Sequence, residues 1–224
     1  MAAATQRKTN LYRGEMGEAE AREKLGRIAK RLGLTDLHTE EGRGLDAGAM
    51  TLSFAYGGAR VSRTCATQTS PGANLACLAL WLEDRARNME RGIESFAEAF
   101  ADSMALAVAR NDNAGPRVSL YVGAKSVADS IEVFRSAFRR LGVSERDVKV
   151  TWDAEANWAR LRMRLPSGAL VEKISRTQKT CDANLAALAL WLQSRARNWE
   201  RGIESLDLDR VFAGNLLPAP AKVA

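Results

Sequence analysis

The sequence predicts an α+β fold: a (β)-α-β-β-β-α module with an antiparallel sheet, present twice in tandem with pseudo-twofold symmetry. Three observations carry this. Residues 74–95 (NLACLALWLEDRARNMERGIES) and 184–205 (NLAALALWLQSRARNWERGIES) agree at 18 of 22 positions, at an offset of 110. Self-similarity at a fixed spacing marks a repeated structural unit. Upstream the offset becomes 109: Leu11-Tyr12-Arg13-Gly14 matches Leu120-Tyr121-Val122-Gly123, and Leu32-Gly33 matches Leu141-Gly142. Between these matched ends, apolar and polar residues alternate with period two around short glycine-containing turns, as half-buried hairpin strands require.

The elements follow in order. Leu11-Tyr12 and Val118 to Val122 read as short extended segments. Helices are expected from about Glu15 to Leu32 and from Ser126 to Leu141, with Gly33 and Gly142 as C-terminal glycines. Met50 to Tyr56 pairs with Arg60 to Thr67 across Gly57-Gly58. Trp158 to Leu165 pairs with Leu170 to Thr177 across Pro166-Ser167-Gly168, and Val148 to Trp152 precedes them. A long helix closes each module. Pro71 suits the start of the first and Asp182 is the N-cap candidate of the second. Leu75, Leu78, Ala79, Leu82, Ala86, Met89 and Ile93 form the apolar stripe of the first. The expected organisation is a flexible tail (1–10), module one (11–110), a connector (111–116), module two (117–213) and a C-terminal tail (214–224).

Composition limits the class. Of 224 residues, 46% are hydrophobic and 27% charged, enough apolar material for a core in each half. No apolar run approaches the roughly 18 residues that cross a bilayer, and no signal-peptide pattern opens the chain. Three cysteines and a single histidine argue against a disulfide framework or a zinc site. A soluble, cytoplasmic protein without cofactor, metal or membrane partner is expected.

Charge separates the two copies. Residues 1–114 hold 15 Lys/Arg and 15 Asp/Glu, whereas residues 115–224 hold 18 and 12. Arg160, Arg162 and Arg164 alternate with Ala159, Leu161, Met163 and Leu165, which puts the three guanidinium groups on the face away from the core. Lys173, Arg176 and Lys179 are expected to broaden this stripe. The aligned positions in copy one are Thr51, Ser53 and Ala55. Like charges along one strand repel, while a polyanion gives them a partner through the planar arginine fork. The leading expectation is therefore a nucleic-acid-binding protein, DNA or RNA, with a solvated arginine face as the plain alternative.

The closing helices carry a second candidate surface: Trp81, Arg85 and Arg87, matched by Trp191, Arg195 and Arg197. The tryptophans cover the sheet edge or pack one copy against the other. The arginines line a solvated helix face or a shared contact. A protein-interaction or assembly module, or a homo-oligomer, is the alternative function.

The string Asn-Leu-x-x-Leu-Ala-Leu-x-Leu-x-x-Arg-x-Arg-Asn-x-Glu-Arg-Gly resembles a segment ahead of the J domain in some phage and bacterial DnaJ-like proteins. Val211-Phe212-Ala213-Gly214 with Leu217-Pro218 is similar to the stretch leading into that domain. The resemblance implies a phage or mobile-element setting. The His-Pro-Asp tripeptide of a J domain is absent from the sequence, so stimulation of Hsp70 does not carry over. The α-β-β-β-α order is similar to that of double-stranded-RNA-binding domains, a likeness of topology that does not establish function.

No catalytic constellation is expected, and the chain reads as a non-enzyme. Walker and dinucleotide glycine patterns and H-E-x-x-H are absent. His38 reads as a lone loop residue, Cys181 as a thiol just ahead of a helix, and Glu40, Glu41 and Asp46 as parts of a solvated loop.

Overall fold

The computed structural model describes Tyr12, residues 14–101, Ser103 and residues 125–204, 207–212 and 215–216. The first half runs α1 (Glu18–Leu32), β1 (Thr35–Glu41), β2 (Met50–Tyr56), β3 (Ala59–Cys65), α2 (Pro71–Glu90) and the short α3 (Phe96–Phe100). The second runs α4 (Val127–Leu141), β4 (Val148–Asp153), β5 (Trp158–Arg164), β6 (Leu170–Ser175), α5 (Cys181–Glu200) and α6 (Leu208–Val211). The fold is thus α+β, with two three-stranded antiparallel sheets ordered β1-β2-β3 and β4-β5-β6 and six α-helices among the described residues. None of these helices is long and apolar enough to cross a membrane.

Local chemistry sets the helix ends. Ser126 and Asp129 form a reciprocal capping box at α4. Ser70 caps α2 by accepting from the Ala73 amide, with Pro71 in the first helical position. The cap of α5 is Thr180, which accepts from the Ala183 amide. Asp182, expected in that role, instead lies inside the first turn, where its charge complements the helix dipole. α1 begins at Glu18 rather than Glu15, with Gly17 at its N-cap in extended backbone and no side-chain cap.

Strand β1 is the main departure from the sequence pattern. Its residues are largely exposed, and its register slips between Thr35 and His38, where Asp36 takes φ 51°. A bulge of this kind erases the period-two signal. His38 therefore lies on a strand, not in a loop. The expected segments Leu11 and 118–122, and the connector 111–116, lie outside the described residues.

Each closing helix is buried on nearly every side. α2 packs on β2 and β3, on α1, and on α5 of the other half. Such a helix shows little amphipathicity because only a narrow part of its surface, around Arg87 on α2, is left to water. The cores interlock just past these helices. Ile93 joins the core of the second half, with Phe134, Leu188 and Trp191, while Ile203 joins that of the first, with Leu52, Leu78 and Trp81. Burying each isoleucine is worth about 1.5–3 kcal/mol, and that gain depends on the other half being present.

Candidate nucleic-acid interface

The residues repeated between the two closing helices meet each other. Arg85 pairs with Glu204 and Arg195 with Glu94, a reciprocal exchange at the sequence offset of 110. The Thr67 hydroxyl donates to the Arg201 carbonyl (2.7 Å) and the Thr177 hydroxyl to that of Arg91 (2.8 Å). Gln68 Nε2 and Gln178 Nε2 donate to the same two carbonyls. Asn88 donates to Ser194 (3.0 Å) and Asn198 to Asp84 (3.3 Å). Gly92 and Gly202 have positive φ, and a β-carbon on either would lie within 2.9 and 2.5 Å of Thr177 and Thr67. Only glycine permits both the conformation and the approach.

At the centre of this contact four charges are removed from water. Arg85, Arg195, Glu94 and Glu204 are each less than 5% exposed. Glu94 accepts from Arg195 and from the Trp191 indole (2.8 Å), and Arg85 Nη1 stands 3.7 Å away. Arg195 also donates to the carbonyls of Val211 (3.0 Å) and Glu98 (3.2 Å). Trp81 is fully buried, edge-on to Phe100, with the Arg63 and Arg85 guanidinium groups near its ring. Arg87 lies apart: it is exposed and pairs with Glu83 one turn earlier (2.6 Å). Arg197 is half-buried, donates to Gln193 and is drawn below its ordinary pKa by burial, against the opposing field of Asp84. Burial raises the Asp84 carboxyl above its ordinary value, against the nearby guanidinium groups.

The open face of the second sheet is chemically different. Residues directly opposite in neighbouring strands share a face. Arg162 stands opposite Lys149 on β4 and Glu172 on β6, Arg160 opposite Thr151 and Ile174, and Arg164 opposite Leu170. Ala159, Leu161 and Met163 are fully buried on the other side. Lys149, Arg162 and Arg164 are exposed. Arg162 is held by Glu172, and Arg164 donates to the Gly168 carbonyl in its own hairpin (3.1 Å). Arg160 lies 5.1 Å from the Trp158 ring centre. Arg176 and Lys179 lie beyond the end of β6 and are exposed. Lys173 requires a correction. It sits opposite Leu161, faces inward, is 6% exposed and pairs with Glu98 (2.7 Å). Position 173 has the parity of the buried Val171 and Ser175, so the alternation along β6 carries it away from the arginines.

On the first sheet the matching face holds Thr51, Ser53 and Ala55, beside Glu40 and His38 on β1 and Thr64, Ser62 and Arg60 on β3. Thr51 and Thr64 share a hydrogen bond of 2.8 Å. Glu40 and Glu41 lie on β1 rather than in a loop, and they do not converge with Asp46: among the described residues no group of three or more His, Cys, Asp or Glu could hold a metal ion. All three cysteines are buried and free. Cys65 donates to Asn74 Oδ1 (3.1 Å), as Ser175 does to Asn184 Oδ1 (2.8 Å). Cys181 is the first residue of α5, not one ahead of it, and burial raises its thiol pKa despite the helix N-terminus.

Sequence reasoning missed the partners of the repeated arginines and two members of the open face. Glu94 and Glu204 lie inside the repeated Arg-Gly-Ile-Glu string, and Thr67-Gln68 and Thr177-Gln178 also repeat, so the signal was present. Lys149 and Trp158 lacked only the register that places them beside Arg162 and Arg160. Comparison with protein-family models, curated proteins and solved structures finds no match.

Proposed function

We propose that the protein binds nucleic acid through the open face of the second sheet and performs no catalysis on it. The observation that carries this is the convergence of Lys149, Arg160, Arg162 and Arg164 on one face, against the carboxylates of Glu172 and Asp153. An excess of cations on a sheet surface supplies the salt-dependent, sequence-independent part of nucleic-acid affinity. The closing helices support the same view from the other side. Arg85 and Arg195 are occupied within the molecule, so their repetition needs no external protein partner. We further infer that the chain is a tandem duplication with pseudo-twofold packing. Six kinds of reciprocal feature at the same offset support it: the ion pairs, the matched threonine, glutamine and asparagine bonds, the glycine approaches and the exchanged isoleucines.

Mobility-shift titration over a salt series tests the binding face. The variant carrying Arg160→Ser, Arg162→Ser and Arg164→Ser should bind all sequences about equally less well. With Arg162 already held by Glu172, loss of roughly two phosphate contacts is expected. That flattens the salt slope by about 1.4–1.8, at about 0.7 per contact on single strands and 0.9 on duplex. Unchanged affinity and slope in a folded triple variant would remove this face from consideration.

A further inference from the structure

We infer that the open face takes a single strand rather than a duplex, with Trp158 as the platform on which an unpaired base stacks; this rests on the nucleic-acid assignment above. Trp158 begins β5 with the parity of Arg160, Arg162 and Arg164, so its indole shares their face, and it is partly exposed. Alternate positions on a strand repeat at about 6.8 Å, which brings Arg160 beside the ring at 5.1 Å. That distance is within reach of a cation–π contact. Arg160 Nε is buried without a hydrogen-bond partner. Its guanidinium thus meets an aromatic ring rather than a carboxylate.

The distribution of charge selects one strand over two. The arginines run in single file along the central strand β5. On the flanks, β4 sets Lys149 opposite Arg162 but Asp153 opposite Trp158, and β6 sets Glu172 opposite Arg162. A duplex lays down two lines of phosphates, and one of them would have to pass over these carboxylates. A single strand has one backbone line to follow and leaves its bases free. The same face offers those bases Trp158 and the apolar side chains of Ile174 and Leu170. Cationic tracks interleaved with aromatic platforms are the general means of holding single strands without reading sequence.

The test uses the full chain and fluorescence anisotropy with four probes: labelled oligothymidylate, the same sugar-phosphate chain with abasic sites, a duplex of matched length, and heparin as competitor. Wild type should bind oligothymidylate roughly 5- to 150-fold tighter than the abasic chain, equivalent to about 1–3 kcal/mol for one stacked base. Trp158→Leu should erase that ratio while leaving the abasic affinity and its salt slope in place. Trp158→Phe should keep most of the ratio. Equal binding of base-bearing and abasic chains by wild type would overturn the stacking role. So would tighter binding of the duplex, or a Trp158→Leu variant that weakens both single-stranded probes by one factor. The wild-type comparison of the two chains decides the matter even where a variant fails to fold. Binding of heparin and duplex without any gain from bases defeats the stacking role alone. Failure of every probe defeats the nucleic-acid assignment as well.

Discussion

Replacing Arg195 by methionine should be among the most destabilising single changes in this chain. The guanidinium is about 1% exposed and holds Glu94, which is 4% exposed, together with the carbonyls of Val211 and Glu98. Methionine fills much of the volume but leaves a buried carboxylate with the Trp191 indole at 2.8 Å and Arg85 at 3.7 Å. Breaking a buried pair by removing one partner costs about 3–5 kcal/mol. In a chain of this length each kcal/mol shifts Tm by about 2–4 °C, so the expected loss is roughly 6–20 °C. Adding Glu94→Gln removes the stranded charge and keeps an acceptor for the indole. The double variant should therefore recover a good part of the loss, giving a coupling of about 2–3 kcal/mol in a double-mutant cycle. Arg27 and Glu23, 67% and 68% exposed and 3.6 Å apart, provide the control, where the same pair of replacements should cost less than about 1 kcal/mol. Calorimetry with urea titration reads both. If the Arg195 and Glu94 replacements prove additive to within about 0.5 kcal/mol, the charges are not coupled in a dry interface and the reasoning fails.

Gly33→Ala and Gly202→Ala impose the same left-handed strain, φ 69° and 76°, but a β-carbon at Gly33 meets open space while one at Gly202 comes within 2.5 Å of Thr67. Urea unfolding should show the first costing about 1–2 kcal/mol and the second clearly more; equal costs would deny the close approach between halves. Asp84→Asn should alter the pH dependence of stability. The folded chain holds the Asp84 proton above its ordinary value of 3.8, so that contribution is full below 3.8 and is lost as pH rises through the folded-state value. The Tm of wild type relative to the variant should therefore fall as pH is raised from about 3 towards neutrality, and a constant or rising difference would refute the sign.

What the sequence disclosed follows from the range of the forces involved. The closing helices were legible because their apolar stripe is local and because the repeat doubles that signal, although the cap of α5 is Thr180 and not Asp182. The arginine face was legible because strand parity is a property of adjacent residues. Strand β1 was not, since a bulge at Thr35–His38 breaks its period and most of its side chains are exposed. The fate of the repeated arginines was hidden for a different reason. Arg85 meets its carboxylate 119 residues along the chain, and no periodicity reports a partner at that separation. Lys173 failed on parity alone: it was grouped with its neighbours in sequence, whereas a pleated strand groups every second residue.

The two halves divide into positions that agree and positions that differ, and the structure gives that division a physical meaning. Agreement falls where a change in one half would strand a group in the other: Arg85 and Arg195, Glu94 and Glu204, Gly92 and Gly202, Thr67 and Thr177. Each of these is constrained by a buried charge, a short contact or a backbone carbonyl belonging to the other half. Where Asp84 stands against Ser194 the two helices differ, yet each keeps its asparagine partner, so the contact survives the difference. The open sheet faces are among the places that diverge: Thr51, Ser53 and Ala55 stand in place of Arg160, Arg162 and Arg164, on faces turned away from the contact between the halves. Mutual packing therefore accounts for the likeness of the helices without any shared ligand. The unlikeness of the sheets is where a function belonging to one half alone has room to reside.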